Sequence, residues 1–418
     1  MARTLTTVVT APGSLIRTSG GAVAVSVVTV LPMFLTAGLA VQIGKDLGFA
    51  PSALGVAPAA FFGAMVVGSP FSGKLVSWVG TVAAVRGTVL CVAMLLALMA
   101  LTVTSLTVLA AYLAGAGILN ALAQPATNQL LAQRIPRTRQ GLAYGAKYSA
   151  IPIASLLAGL SVPAIGLTLG WRWAFGAFAM VAVLIAAYPF GRQSHARSHV
   201  ATVTPSDIRL PRRILVGLAL GVSFAAAGGS TLAIFMVASA VDTGWPEGTA
   251  GLLLAGASVL GVAARLLSGM RADRRGRNHL LVVAAMLVVG AVGVLAMATQ
   301  NPVVFAVGAP LAFAAGWGWP GVFILSVVNL NPTGPASATA ITQMGTSAGC
   351  VFGPLLFGLL VETFSFRVAW VANASTLLLA AGVILLGRRQ VLAHLSTLPQ
   401  ESIPWRQGLH TTRRGRTT

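Results

Sequence analysis

The chain has 418 residues, a formal net charge of +20 and 56% apolar side chains, yet only 8% of its residues are charged. A soluble domain carries roughly 25% charged residues, so a water-facing surface over this length is excluded and the surroundings must be mostly lipid. The two cysteines, Cys91 and Cys350, both sit in apolar runs, so neither a disulfide framework nor a cysteine metal site is implied, and no cofactor is expected.

Residues 1–20 are polar and Thr-rich, without the apolar core or cleavage site of a signal peptide. Apolar windows then follow at about 21–43, 53–73, 81–101, 106–131, 142–168, 172–190, 214–241, 249–270, 279–298, 303–328, 335–361 and 366–387. Each is close to the ~20 residues a bilayer crossing needs. The fold expected is all-α and integral to the membrane, with twelve spans. Residues 21–190 form a first six-helix bundle, 191–213 a central loop, 214–387 a second bundle and 388–418 a basic tail. With the N-terminus in the cytoplasm and alternation thereafter, 24 of the 27 basic residues fall inside, and only Lys45, Arg172 and Arg367 fall outside. Cytoplasmic loops attract Lys and Arg, so both termini and the central loop are expected in the cytoplasm, in a cytoplasmic (inner) membrane. The positive charge is thus a topology signal, and nucleic acid is not an expected partner.

Within the spans, the third begins at Arg86, whose plain reading is an arginine reaching to the interface. The fourth carries Asn120, Gln124 and Asn128 at steps of four, which places them on one helical face. That stripe serves either hydrogen-bonded helix packing or a polar cavity wall. The fifth carries Lys147 and Tyr148 two turns in. Lys147 either reaches back to the interface or faces a wet cavity, where Gln124, at similar depth, would share one solute with it. No Asp or Glu lies within any of these windows, and His279 stands only at the edge of the ninth. A proton-driven carrier usually uses a buried titratable carboxylate or histidine, and hydrolytic chemistry needs a cluster of such groups, so no catalytic residues are expected and the chain is not read as an enzyme. Span ten offers Trp317 and Trp319, read equally as packing or as an aromatic wall facing the amides. Span eleven offers Gln343.

The halves repeat. Asp46-Leu47-Gly48-Phe49 recurs as Asp242-Thr243-Gly244-Trp245 at an offset of 196, and Gly73 and Gly80 recur as Gly269 and Gly276 at the same offset. Gln124-Pro125 recurs as Trp319-Pro320, and Trp171-Arg172-Trp173-Ala174-Phe175 as Phe366-Arg367-Val368-Ala369-Trp370, both at 195. Two pseudo-symmetric six-helix halves of parallel topology are a transporter architecture.

The segment Gly269-Met270-Arg271-Ala272-Asp273-Arg274-Arg275-Gly276-Arg277 resembles the inter-helix signature of the major facilitator superfamily, and the repeat, the span count and the long central loop resemble the same family over roughly residues 20–390. The resemblance implies two bundles rocking about a central site. It implies gating roles for Gly73, Gly80, Gly269, Asp273, Arg274, Gly276 and Arg277, with Arg265 bracing that region beside Asp273. The first-half copy has Ser77 where the family has an acid, and span five lacks the Gly-Pro signature common in drug–proton antiporters. No Gly-x4-Gly-Lys-Ser/Thr phosphate loop occurs. The function expected is secondary transport of a small organic solute, favoured as anionic or zwitterionic because the cavity offers a cation and no acid. A coupling ion remains open, and the chain is expected to act as a monomer in the bilayer. The alternatives are efflux of apolar or cationic drug-like compounds and, from another class, a channel or membrane receptor.

Overall fold

The computed structural model describes residues 12–49, 55–135, 140–188, 210–275, 279–331 and 335–397. Within these, the side chains of 12–17, 132–133, 140–141, 272–275 and 335–337 are not described. The described residues are helical with short connections, and no strand occurs among them.

Eleven helices are long and apolar enough to cross a membrane: Thr18–Gly38, Val56–Val79, Thr81–Thr102, Leu106–Leu131, Leu142–Gly166, Arg212–Asp242, Glu247–Arg271, Leu280–Ala298, Pro302–Asn329, Ala338–Thr363 and Phe366–Ser396. The shorter apolar helix Trp171–Ala186 takes sixth place in the chain, so each of the twelve windows holds one span. Three boundaries move. The first span stops at Gly38 and a separate short helix, Ala40–Leu47, follows it. The second runs on to Val79, and the twelfth continues past residue 387 to Ser396, carrying Arg388 and Arg389. Connections after odd-numbered spans define one end of the bundle, the odd-loop end; both termini leave from the other, the termini end.

Small residues set the closest approaches. A Cβ on Gly345, Gly349 or Gly353 of span eleven would lie 2.2 Å from Ala219 O, 2.0 Å from Ser223 O and 2.5 Å from Ala227 Cα of span seven. A stripe at steps of four therefore lets two backbones touch, the small-residue packing that helices use where lipid removes any hydrophobic drive to associate. Gly117 of span four does the same against Phe61 O of span two, at 2.0 Å.

The two halves meet at the odd-loop end. A Cβ on Gly159 would sit 2.5 Å from Gly251 O, joining spans five and eight, and one on Gly55 would sit 2.6 Å from Pro354 O, joining spans two and eleven. Lys45 Nζ and Glu247 Oε1 form an ion pair between the halves.

The repeat is visible in the backbone. Gly48 and Gly244, at the offset of 196, both close their helices with positive φ, +73° and +95°, a conformation that glycine adopts without a Cβ penalty. The side-chain ties differ between halves. In the first, Asp46 Oδ2 accepts from Trp171 Nε1 at 3.1 Å and Arg172 Nη1 at 2.5 Å, while Arg172 Nη2 reaches Val103 O at 2.8 Å. The Arg172 guanidinium, with the Trp171 indole, holds the Asp46 carboxyl below its ordinary value. In the second half Phe366 replaces Trp171 and has no N–H. Asp242 and Arg367 form no ion pair among the described residues. The tie is instead a buried neutral one, Trp370 Nε1 to Ser239 Oγ at 2.8 Å.

Candidate functional site

The central polar cluster grows around a proline inside the continuous helix of span four and breaks in spans five and ten. In span four, Pro125 deprives the ladder of one N–H, and the chain on either side presents the Asn120, Gln124, Asn128 face inward. Asn120 is buried and fully engaged: its Oδ1 accepts from Thr29 Oγ1 at 3.1 Å and from Gln124 Nε2 at 3.2 Å, and its Nδ2 approaches Met65 Sδ at 3.1 Å. Asn120 therefore serves packing between spans one, two and four. Gln124 and Asn128 are half-buried and turn their oxygens elsewhere.

Those oxygens meet Lys147. Its Nζ donates to Gln124 Oε1 at 2.9 Å, to Gln124 O at 3.3 Å and to Asn128 Oδ1. Lys147 is 2% exposed, so of its two sequence-level readings the one reaching back to the interface does not hold. Its ammonium stands 5.9 Å from the Tyr148 ring centroid. Every oxygen bonded to it is a neutral amide. An ammonium so placed is satisfied in hydrogen bonds yet uncompensated in charge, which is costly within a membrane.

Span five is interrupted just after this point, at Ser149. The reason lies in Pro152: proline has no N–H to return to Tyr148 O, four residues earlier. That freed carbonyl is taken by Arg265 Nη1 from span eight, at 3.2 Å, across the boundary between the halves. Span ten breaks comparably. A π turn, Ala312–Gly316, is followed by non-helical residues before the helix restarts at Pro320. Trp317 lies in that break with its carbonyl outside either helical ladder, and Arg265 Nη2 takes it at 2.6 Å. Arg265 is 3% exposed, and its Nε has no partner. The brace expected between Arg265 and Asp273 is therefore not where the described guanidinium bonds are spent; Arg265 belongs to the central cluster.

The aromatic residues sit close to it. Trp317 and Trp319 are both buried, with indole nitrogens lacking partners. The Trp317 ring covers Gly229 so closely that a Cβ there would fall 1.5 Å from Cε3. Trp319 packs edge-on against Phe323, with centroids 5.9 Å apart. Gln343 is exposed, on the face of span eleven whose deeper positions Ser347, Cys350 and Pro354 are buried. Thr342, the repeat counterpart of Lys147, is buried and spends its hydroxyl on Ala338 O and Thr339 O, so the second half has no equivalent ammonium.

Of the residues assigned to gating, Gly80 has φ +90° and separates the second and third spans. Gly73 and Gly269 have open space where a Cβ would stand. The side chains of Asp273 and Arg274 and the whole of Gly276 and Arg277 lie outside the described residues. Sequence reading missed the cross-half bonds of Arg265; the signal available was Pro152, whose position identifies the carbonyl left free. It also missed the tie from Asp46 to Trp171 and Arg172, although both motifs stand out in the repeat.

Comparison with known proteins agrees with this architecture. The family model described as Major Facilitator Superfamily matches residues 22–215 and 218–416. A curated relative, the chloramphenicol resistance protein of Streptomyces lividans, is 29% identical over 345 residues, covering 77% of this chain and 83% of that protein. Among solved structures, a bacterial homologue of the human lysosomal transporter Spinster, inward-facing and unoccupied, superposes with a TM-score of 0.68 at 16% identity, over 92% of this chain and 99% of that one. The same homologue, occupied, gives 0.64 at 16% identity, over 89% and 96%. At that identity the likeness is one of fold.

Proposed function

We propose, from the premise that this chain belongs to the major facilitator superfamily and is a multi-pass membrane transporter, that it carries a small organic solute bearing an anionic group, by alternating access about the Lys147 cluster. The observation that carries the reading is the Lys147 ammonium, buried and, among the described residues, bonded only to the neutral oxygens of Gln124 and Asn128. A carboxylate or comparable anion arriving from water supplies the missing charge and accepts hydrogen bonds from the ammonium and the Gln124 amide. No phosphate-binding loop is present in the sequence, so the cycle is read as a secondary one.

Both termini are proposed to lie in the cytoplasm, from the distribution of 24 of 27 basic residues. Reporter fusions at Ser206 and at the C-terminus should both give the cytoplasmic signal; an external signal from either rejects the orientation.

A second reading has its own support. The Streptomyces relative is a chloramphenicol resistance protein, and chloramphenicol is uncharged, so efflux of neutral drug-like compounds follows from that likeness. One experiment separates the two. Purified protein is titrated with chloramphenicol, benzoate and phthalate while the melting midpoint is followed, and export from loaded cells is measured for whatever binds. Stabilisation by the anions, lost in Lys147→Ala and partly kept in Lys147→Arg, supports the anionic reading. Stabilisation by chloramphenicol alone, unchanged in Lys147→Ala, replaces it with drug efflux.

A further inference from the structure

We propose that Arg265 is the second anchor of the solute site, meeting from the opposite half an anionic solute that Lys147 holds from the first. The proposal rests on the anionic reading above and extends it: it makes the solute one with two anionic groups, or one group wide enough to span both cations.

The first observation is charge. Lys147 and Arg265 are the two charged side chains buried among the described residues, and the acids of the spans, Asp242, Glu247 and Glu362, stand only at span ends on the odd-loop side. The second is proximity. Arg265 Nη1 bonds to the carbonyl of Tyr148, the residue next to Lys147, and Gly261, one turn before Arg265, packs on Pro152 of the same span. The two cations thus converge on one short stretch of span five from different halves. The third is the bonding state of the cluster. Arg265 uses two of its five N–H donors on carbonyls, and its Nε is buried and unpartnered. Trp317, whose carbonyl it holds, also buries an indole N–H without an acceptor, as does Trp319. What these groups lack is an acceptor. A buried donor left unmade is costly, and a multi-oxygen anion satisfies donors and charge together. A guanidinium suits a carboxylate through its planar fork where an ammonium offers a point charge, so the two cations divide recognition between geometry and charge.

This assignment moves Arg265 from the gate into the solute site. It also gives the carrier a reason to sense its load: with the solute bound, the anion ties both halves through side chains, and without it only the Tyr148 carbonyl links Arg265 to the first half.

The test uses full-length protein in detergent with two probes, benzoate with one carboxylate and phthalate with two. Affinities are measured for wild type, Lys147→Gln, Arg265→Gln and Arg265→Lys by thermal stabilisation, with size-exclusion profiles checking the fold. Wild type is expected to prefer phthalate. Arg265→Gln should lose about tenfold for phthalate, the order expected for one charge-assisted contact, and much less for benzoate, so that the preference collapses; Arg265→Lys should keep part of it. A purely structural role for Arg265 predicts an equal loss for both probes, and that result overturns the proposal, as does wild-type phthalate affinity in Arg265→Gln. Should Arg265→Gln not fold, Arg265→Lys decides: a reduced phthalate preference supports the assignment and an unchanged one removes it. Binding that vanishes in Lys147→Gln yet survives unaltered in both Arg265 variants leaves the anionic reading standing without its second anchor. Absence of any anion response in wild type removes the anionic reading itself, and this inference with it.

Discussion

Single residues in this protein are placed by what the backbone leaves free. Pro152 has no N–H, Tyr148 O therefore lacks its helical partner, and Arg265 fills the vacancy. Trp317 is located in a comparable way, by a break in span ten, and then by contact: its ring rests where any side chain on Gly229 would stand. Gly229→Ala would put a methyl 1.5 Å from Trp317 Cε3, so the ring must leave, taking with it the carbonyl that holds Arg265. Overpacking typically costs ~1–3 kcal/mol, and the expected outcome is a variant with a lower melting midpoint and weakened solute binding. Gly217→Ala on the same span, with nothing within 4 Å of the added Cβ, is the control expected to behave as wild type. Wild-type midpoint and binding in Gly229→Ala would show that Trp317 repacks freely.

Among the helices and their connections, the short helix Ala40–Leu47 is the least regular in its duties. It was not separable from span one by composition, because Leu39, Ala40, Val41 and Ile43 continue the apolar run. What separates the two helices is a single turn residue, Leu39, with φ −93° and ψ 12°, which hydropathy does not record. Its Asp46 fixes it to the start of span six. The Asp46 carboxyl sits below its ordinary value of 3.8 because Arg172 and Trp171 donate to it. A depressed carboxylate contributes stability that is present above the unfolded value and is lost as pH falls through the folded one. Asp46→Asn should therefore lower the melting midpoint at pH 7, and the gap from wild type should close as the pH is taken below about 4. A gap independent of pH would assign the effect to something other than the carboxylate. The twelve spans themselves were legible because each had to be apolar over a bilayer thickness, and the repeat because glycines at helix ends obey backbone geometry rather than lipid. Gln124 and Lys147 were legible as a pair from their depths. Arg265 was not: Pro152 marks the carbonyl freed at Tyr148, but nothing in the sequence says which distant donor takes it.

At the scale of the whole molecule the two halves are pinned at the odd-loop end by close backbone contacts and by the Lys45–Glu247 pair. Lys45 is largely exposed in that pair, at 69% of its side chain against 16% for Glu247, and exposed pairs are worth about 0–1 kcal/mol. Breaking it should shift the balance between open and closed states by no more than about fivefold. The expected outcome for Lys45→Glu is faster modification of a cysteine placed at Ala238, which lines the narrow gap beside the pair, in a background with Cys91 and Cys350 replaced by serine. Adding Glu247→Lys should restore the slow rate. If the double variant reacts as fast as the single one, the pair does not hold this end.

The two uncompensated cations have an electrical meaning. Moving one elementary charge through a membrane potential of 100 mV is worth about 2.3 kcal/mol. Under the proposed anionic reading, an unloaded site carrying Lys147 and Arg265 acts as a gating charge: as the halves rock, the field moves past it, and an inside-negative potential draws the empty site toward the interior. An anionic load cancels that pull, so the loaded carrier turns with little regard for voltage. Capacitive currents from proteoliposomes on a solid-supported membrane should therefore be large for the empty protein, shrink when an anion that stabilises the protein is added, and fall in Lys147→Gln. Under the proposed anionic reading, two cations with no acid beside them let the membrane voltage bias which way the empty transporter faces.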